Sequence, residues 1–241
     1  MDRPSTSSAV RWHEVPDAKA LAGSLSKHLR QHSLAAIAER GVARIGLAGG
    51  STPMPAYADF ACSNMPWPQV HLVLIDERFV PLTDSLSNES NIASAFNSVH
   101  AHLGAWQGLY QSARNIEQAA EAAGEAVARF GLPLDVTVIG MGSDGHIASL
   151  FVESADFELA MDPLTSAAVL PIRFAADQGK TDRMSFSLAA LLETRHALFC
   201  ITGAEKRAVL ERSLDGRAPH FAAARFLARY TGPVDIFWSP T

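Results

Sequence analysis

The first long segment of the chain has apolar residues at helical spacing. Leu21, Leu25 and Leu29 recur every four residues, and mostly polar or small residues lie between them. This period brings the leucines to one face of an α-helix, so the pattern predicts an amphipathic helix. Asp17 is suited to cap the amino end and Gly41 to end the helix. We therefore expect a helix between these two residues.

Several later segments are apolar through their whole length. Such runs are typical of strands that are buried on both faces of a parallel sheet. The strongest predicted strands are residues 42–48, 70–75, 134–139 and 196–202, and further strands are expected at 167–172, 184–188 and 234–238. Helical patterns lie between them, at a short stretch from residue 53, at 91–102, at 116–130, from about 204 to 214, and at 219–228.

Strands that alternate with helices predict an α/β fold with a mostly parallel, Rossmann-like sheet and helices on both faces. In such sheets ligands bind in the crevice at the carboxyl ends of the strands. Four predicted strands end in polar or glycine-rich turns, at residues 49–52, 76–78, 140–146 and 203–206. We therefore expect these turns to share one edge and to form the active site there. No repeat or linker divides the chain, which predicts a single domain over residues 1–241.

Composition narrows the classes of protein to which the chain belongs. Of its 241 residues, 48% are hydrophobic and 19% charged, which supports a sizeable core and excludes a disordered protein. No apolar run approaches the roughly 18 residues of a membrane span. The first ten residues have no apolar segment that would argue for export. A net charge of −5 without any basic run argues against nucleic acid as a partner.

The two cysteines, Cys62 and Cys200, have neither another cysteine nor a histidine at metal-ligand spacing. They predict no disulfide framework and no zinc site, and we expect both to be buried. This cysteine usage fits a reducing cytoplasm, which is the expected location. We see no surplus apolar face in the sequence, and a monomer is expected.

The turn after the first buried strand reads Gly-Gly-Ser-Thr-Pro. Gly49 and Gly50 allow a ligand to approach the backbone closely, and Ser51 or Thr52 can cap the helix that follows, with Pro53 in its first turn. A glycine turn that leads into a helix amino end favours an anion. The alternative is a plain capped turn. A nucleotide P-loop is excluded because no Gly-Lys-Ser/Thr follows.

The second strong strand is followed directly by Asp76, Glu77 and Arg78. Because Asp76 comes immediately after a run of apolar residues, we expect its carboxylate in the crevice rather than on an open surface. An exposed ion pair at the strand end is the alternative.

Residues 140–146 read Gly-Met-Gly-Ser-Asp-Gly-His and contain the G-x-G-x-x-G pattern of dinucleotide-binding proteins. In that fold an acidic residue about 20 positions further on ends a second strand, whereas Asp162 follows a helical stretch. A nicotinamide cofactor is therefore not expected. His146, in contrast, is a candidate general base, because an imidazole with a pKa near ~6.5 accepts a proton from water at neutral pH. Asp144 lies two residues before it.

Two cations are candidates to bind an anion at the same edge. Lys206 is in the first turn of a predicted helix, where a positive charge opposes the helix dipole. An anionic ligand would explain it, and an exposed surface lysine is the alternative. Arg183 precedes a predicted short strand, and it reaches the same edge if that strand runs antiparallel to the others.

Taken together and in order, these segments resemble the 6-phosphogluconolactonase family, within a broader group that includes glucosamine-6-phosphate deaminase. The matching stretches span most of the chain and are LAGGSTP (47–53), LIDERFVP (74–81), SNESN (87–91), IGMGSDGHIASLF (139–151), RMSFSL (183–188) and GAEK (203–206). The deaminase pattern has a glutamate five residues after the shared histidine, where this chain has Phe151. The lactonase pattern usually has proline where this chain has Val152, a difference that affects the turn rather than the chemistry.

The resemblance implies hydrolysis of 6-phosphoglucono-δ-lactone to 6-phosphogluconate, in the oxidative branch of the pentose phosphate pathway, without a cofactor or a metal. It implies that His146 deprotonates the attacking water, with Asp144 or Asp76 orienting the imidazole. Arg78 or the backbone amides of residues 140–146 would stabilise the oxyanion. The phosphate would be bound by Gly49, Gly50, Ser51, Thr52, Arg183 and Lys206.

Three other functions are weighed against this one. A glucosamine-6-phosphate deaminase or isomerase is disfavoured by Phe151, which cannot transfer a proton. A non-catalytic phosphosugar sensor would need a DNA-binding segment, and too few residues precede Asp17 for a helix-turn-helix. A nicotinamide oxidoreductase is disfavoured by the position of Asp162.

Overall fold

The computed structural model describes residues 10–241. Residues 1–9, to which the expectations about export and a DNA-binding segment mainly refer, lie outside the described part. The strands are β1 (Val10–Glu14), β2 (Ala43–Leu47), β3 (Val70–Leu74), β4 (Asp76–Arg78), β5 (Ala105–Gln107), β6 (Val136–Gly140), β7 (Val169–Ile172), β8 (Arg183–Phe186), β9 (Ala197–Thr202) and β10 (Val234–Ser239). The α-helices are α1 (Ala18–Arg40), α2 (Met54–Ala61), α3 (Asn88–Ala95), α4 (Ile116–Phe130), α5 (Phe157–Ala160), α6 (Leu188–Leu192), α7 (Ala204–Leu214) and α8 (Ala222–Leu227).

Seven strands form one sheet in the order β1-β10-β9-β6-β2-β3-β5, and every neighbouring pair is parallel. In the central strand β9, all residues from Ala197 to Ile201 are buried. Because successive side chains of a strand point to opposite faces, both faces of the sheet are covered there. The predicted α/β fold with a mostly parallel sheet is confirmed.

The other three strands form a small antiparallel sheet in the order β4-β8-β7. The chain passes from β3 to β4 through Ile75, whose N–H donates to Leu47 of the large sheet (3.1 Å) and whose carbonyl accepts from Phe186 of the small one (2.8 Å). The prediction of a turn at residues 76–78 is therefore wrong. This segment is a strand, because its backbone pairs with β8, a distant part of the chain that a local pattern does not indicate.

Helix α1 agrees with its prediction. Asp17 caps it by accepting a hydrogen bond from the N–H of Ala20 (2.8 Å), and the helix ends where the N–H of Gly41 donates to Ile37 (2.8 Å). The three leucines that indicated the helix are buried. None of the helices in residues 10–241 has both the length and the apolar character needed to cross a membrane.

Further features differ from the sequence pattern. Strands β1 and β5 are not predicted, because both are edge strands whose residues are partly exposed and do not form an apolar run. The helix expected at 91–102 begins earlier, since Ser87 caps α3 by accepting from the N–H of Ser90 (3.2 Å), and it ends at Ala95. Cys200 is buried as expected, whereas Cys62 is exposed, at the carboxyl end of α2.

Candidate active site

A cleft of about 230 Å³ lies at the carboxyl ends of β2, β6 and β9. All four segments that were expected to share one edge of the sheet contribute to its walls. The predicted site residues in the walls are Gly49, Gly50, Ser51, Thr52, Asp76, Arg78, His146, Arg183 and Lys206. Asp144 is not part of the wall and reaches the cleft through its contact with His146.

The imidazole of His146 is bonded to the carboxylate of Asp144, with Nδ1 and Oδ1 2.6 Å apart. The histidine side chain is 25% exposed and the aspartate 48%. Burial by itself would raise the pKa of Asp144, but the hydrogen bond to His146 and the interaction with its charge lower this pKa to about 2. Asp144 is therefore ionised at neutral pH and favours a proton on Nδ1 of the imidazole. In the neutral ring this leaves Nε2 with a free lone pair.

Phe151 packs against the imidazole of His146, with ring centroids 3.9 Å apart and planes inclined by 29°. The charged groups of Lys180 and Arg183 lie 4.7 and 4.8 Å from the centroid of the Phe151 ring. Phe151 is the position at which the sequence differs from the deaminase pattern. Here it supports the imidazole and offers no group that can transfer a proton.

Gly142 is required by the close approach of the Asp144 and His146 side chains. A Cβ atom at this position would lie 2.3 Å from Oδ1 of Asp144 and 2.3 Å from Nδ1 of His146, so any other residue would displace these two side chains. We expect Gly142→Ala to displace His146, the predicted general base, and so to lower kcat by on the order of 10²-fold, since a misplacement of about 1 Å has effects of that size. Stopped-flow measurement of substrate turnover, with a thermal unfolding curve, checks this. Gly23→Ala is the control, since a Cβ there meets nothing within 4 Å; equal kcat values for the two variants would contradict the expectation.

Arg78 and Arg183 lie directly opposite one another on β4 and β8. Like charges in this arrangement destabilise a sheet. The Nε atoms of both guanidinium groups are buried and have no hydrogen-bond partner among residues 10–241. Burial lowers the pKa of Arg183, the carboxylate of Asp76 raises it, and the charge of Arg78 lowers it again. Together with Lys206, which lies in the first turn of α7, this pair makes one wall of the cleft favourable for an anion.

Asp76 does not contact the imidazole. Its buried carboxylate accepts a hydrogen bond from the hydroxyl of Ser149 (2.7 Å), and this hydroxyl also lies 3.4 Å from Nη1 of Arg183. Asp76 and Ser149 therefore position the side of the cleft formed by Arg78 and Arg183, here called the arginine wall. Asp144 positions His146. Ser149 lies in the IGMGSDGHIASLF stretch, but sequence reasoning gave it no role.

The Gly-Gly-Ser-Thr turn lines the cleft as expected, but its expected helix cap is wrong. Helix α2 begins at Met54 with Pro53 as the capping position, and no side chain caps it. Because Pro53 is the capping position, the hydroxyls of Ser51 and Thr52 do not cap α2.

Glu77 and Asn88, to which the sequence pattern gave no role, position the arginine wall of the cleft. Glu77 is fully buried, and its carboxylate accepts from the backbone N–H groups of Asn88 and Glu89 (2.7 Å each) at the start of α3. Burial raises the pKa of Glu77, and these hydrogen bonds oppose the rise. Asn88 donates from Nδ2 to the carbonyl of Asp76 (3.1 Å), and its side chain fills the space that a Cβ of Gly49 would occupy. The SNESN stretch was the available signal for both contacts.

Cys200 also lines the cleft, from β9 below it. Burial raises the pKa of this thiol to about 12, although the charge of Lys206 opposes the rise. The thiol is therefore protonated at neutral pH and is not a nucleophile.

The chain is similar to known proteins over most of its length. The family described as glucosamine-6-phosphate isomerases/6-phosphogluconolactonase matches residues 16–236. A 6-phosphogluconolactonase of Pseudomonas putida is 35% identical over 233 residues, which cover 96% of this chain and 94% of that protein. One of Mesorhizobium japonicum is 32% identical over 232 residues, which cover 96% of each.

Solved structures give the same result. The crystal structure of a 6-phosphogluconolactonase from Shewanella baltica superposes with a TM-score of 0.88 at 29% identity, and the match covers 95% of this chain and 97% of that one. From the fold, the near-complete match in length and the sequence identities, this chain belongs to the family of glucosamine-6-phosphate isomerases and 6-phosphogluconolactonases.

Proposed function

We propose that this protein is a 6-phosphogluconolactonase, which hydrolyses 6-phospho-D-glucono-1,5-lactone to 6-phospho-D-gluconate. The observation that carries the proposal is the placement of the Asp144–His146 pair and three cationic side chains around one cleft. The relatives with 32% and 35% identity bear the name of this activity, which supports it.

His146 acts as the general base. With Asp144 favouring the proton on Nδ1, the Nε2 lone pair takes a proton from water as the water oxygen attacks the lactone carbonyl carbon. The carbonyl electrons move to oxygen and form a tetrahedral oxyanion. When they return, the bond between this carbon and the ring oxygen breaks, and the ring oxygen receives the proton from His146. Arg78 or the backbone amides of residues 140–146 stabilise the oxyanion, which is the role that preorganised donors have in acyl transfer.

Arg183, Lys206 and the backbone of residues 49–52 hold the phosphate. A phosphate dianion beside Arg183 lessens the repulsion between this guanidinium group and that of Arg78, and gives the unpaired Nε–H of Arg183 an acceptor. Binding at this non-reacting end places the lactone carbonyl near His146, so that binding energy is used for positioning. A net charge of −5 repels the substrate at long range, which makes this local group of cations necessary.

The alternative functions have less support. A deaminase needs a proton-transferring group where Phe151 packs against His146. A sensor of phosphosugars would use the same anion-binding wall but would give the Asp144–His146 pair no task. A cytoplasmic location and a monomeric state stay predictions from the sequence.

The test is hydrolysis of freshly prepared 6-phosphogluconolactone by the purified protein, after subtraction of the spontaneous rate. We expect rapid hydrolysis, no ammonia release from glucosamine-6-phosphate, and no NADP binding in a fluorescence titration. A rate equal to the spontaneous background would refute the lactonase proposal. Ammonia release would support the deaminase in its place.

A further inference from the structure

The amino end of the parallel sheet carries a cluster of histidines that the proposed reaction does not use. Asp235 is the second residue of β10, His196 directly precedes β9, and His32 lies on α1. The cleft is at the other end of the same strands. Because a strand rises ~3.3 Å per residue, the six-residue strand β9 separates the two places by roughly 20 Å.

Asp235 is a fully buried carboxylate at the centre of this cluster. It accepts two hydrogen bonds from Arg11 (3.0 Å each), one from Nε2 of His13 (2.7 Å) and one from Nε2 of His196 (2.5 Å). Burial would raise the pKa of Asp235, but these hydrogen bonds hold it well below its usual range. The carboxylate is therefore ionised although it is buried.

His32 faces His196, with the ring centroids 4.0 Å apart and the planes inclined by 49°. Neither ring nitrogen of His32 has a hydrogen-bond partner among residues 10–241. A neutral imidazole has a lone pair on one ring nitrogen, which in His196 is Nδ1 because its Nε2 donates to Asp235. One ligand atom from each of the three residues lies within 4.8 Å of the others.

We propose that His32, His196 and Asp235 form a binding site for one Zn²⁺ ion. Two imidazole nitrogens and one carboxylate oxygen are a ligand set that Zn²⁺ takes in proteins, at bond lengths of about 2.0–2.2 Å. Ligand atoms around a tetrahedral ion lie roughly 3.3 Å apart at those bond lengths, so small side-chain rotations close the site. The half-buried position of His32 admits the ion and a water molecule as fourth ligand.

Arg11 competes with the metal. Its guanidinium binds the same carboxylate and would lie beside a dication, which is electrostatically unfavourable. The Arg11 side chain is 61% exposed, so it can move into solvent and free one acceptor position on each carboxylate oxygen, while His13 and His196 keep their hydrogen bonds. Removal of this charge should therefore strengthen zinc binding, a result that adventitious binding to surface histidines would not produce.

The test is calorimetric titration of the EDTA-treated, tag-free protein with ZnCl₂ at neutral pH, together with thermal unfolding curves. We expect one zinc equivalent that raises the unfolding temperature, because an ion that binds only the folded state stabilises it. His32→Asn should weaken this equivalent by about tenfold or more, comparable to the loss of a metal-site group. Arg11→Gln should strengthen it, and His102→Asn, a change of an exposed histidine, should leave it unaltered.

The Asp144–His146 pair also offers a nitrogen and an oxygen to zinc, so its contribution has to be separated. The zinc equivalent assigned to the site of His32, His196 and Asp235 must still bind to the His146→Ala protein. Absence of binding to the wild-type protein would overturn the proposal, and so would a zinc equivalent that His32→Asn leaves intact. Neither result bears on lactone hydrolysis, because the cluster and the cleft lie at opposite ends of the sheet.

Discussion

Replacing His146 by alanine is expected to lower kcat by about 10²–10⁴-fold, the range that general-base catalysis contributes. The imidazole is held on one side by the ionised Asp144 and on its face by Phe151, and its removal takes away the nitrogen proposed to accept the proton of water. KM should change much less than kcat, because the residues proposed to bind the phosphate are different ones. Stopped-flow kinetics with 6-phosphogluconolactone, corrected for spontaneous hydrolysis, measures both constants.

His102→Ala, on the exposed surface, is the control for loss of a histidine as such. A His146→Ala protein with wild-type kcat would remove this residue from the chemistry. A large rise in KM with little change in kcat would make it a binding residue instead.

Replacing Lys206 by alanine should reduce kcat/KM for the phosphorylated lactone and leave kcat/KM for unphosphorylated gluconolactone nearly unchanged. A hydrogen bond to a charged group contributes about 1.5–3 kcal/mol, which corresponds to a loss on the order of 10- to 150-fold. Arg183→Ala should act in the same direction. The ratio of the two substrates' kcat/KM values, measured for each variant, is the readout.

Lys19→Ala is the matched control, because Lys19 lies in the first turn of a helix, as Lys206 does, but is exposed and does not line the cleft. If Lys206→Ala and Arg183→Ala reduce turnover of both lactones equally, these cations do not bind the phosphate. Lys206 is the cleaner of the two tests, since loss of Arg183 also removes a neighbour of Asp76 and Ser149.

Much of the parallel sheet could be predicted because its central strands are buried on both faces and therefore appear as continuous apolar runs. Strands β1 and β5 at the sheet edges were not predicted, because their residues are partly exposed and form no apolar run. The meeting of the four segments in one cleft follows from parallel topology, because each of them comes after a strand of the parallel sheet.

The parts of the site that could not be predicted depend on pairing between distant segments. The antiparallel register that places Arg78 opposite Arg183 has no local signature in either segment. The choice between Asp144 and Asp76 as the partner of the imidazole was open in the sequence, because both follow buried strands. Their hydrogen bonds to His146 and Ser149, respectively, are tertiary contacts.

The arginines opposite one another on β4 and β8 bring two positive charges together, and a bound anion would lessen their repulsion in addition to the carboxylate of Asp76. Inorganic phosphate and sulfate are such anions, so we expect these salts to stabilise the purified protein and to compete with the substrate in kinetic assays. The purified protein is therefore best stored in phosphate or sulfate, and its kinetics are best measured in buffers that contain neither salt.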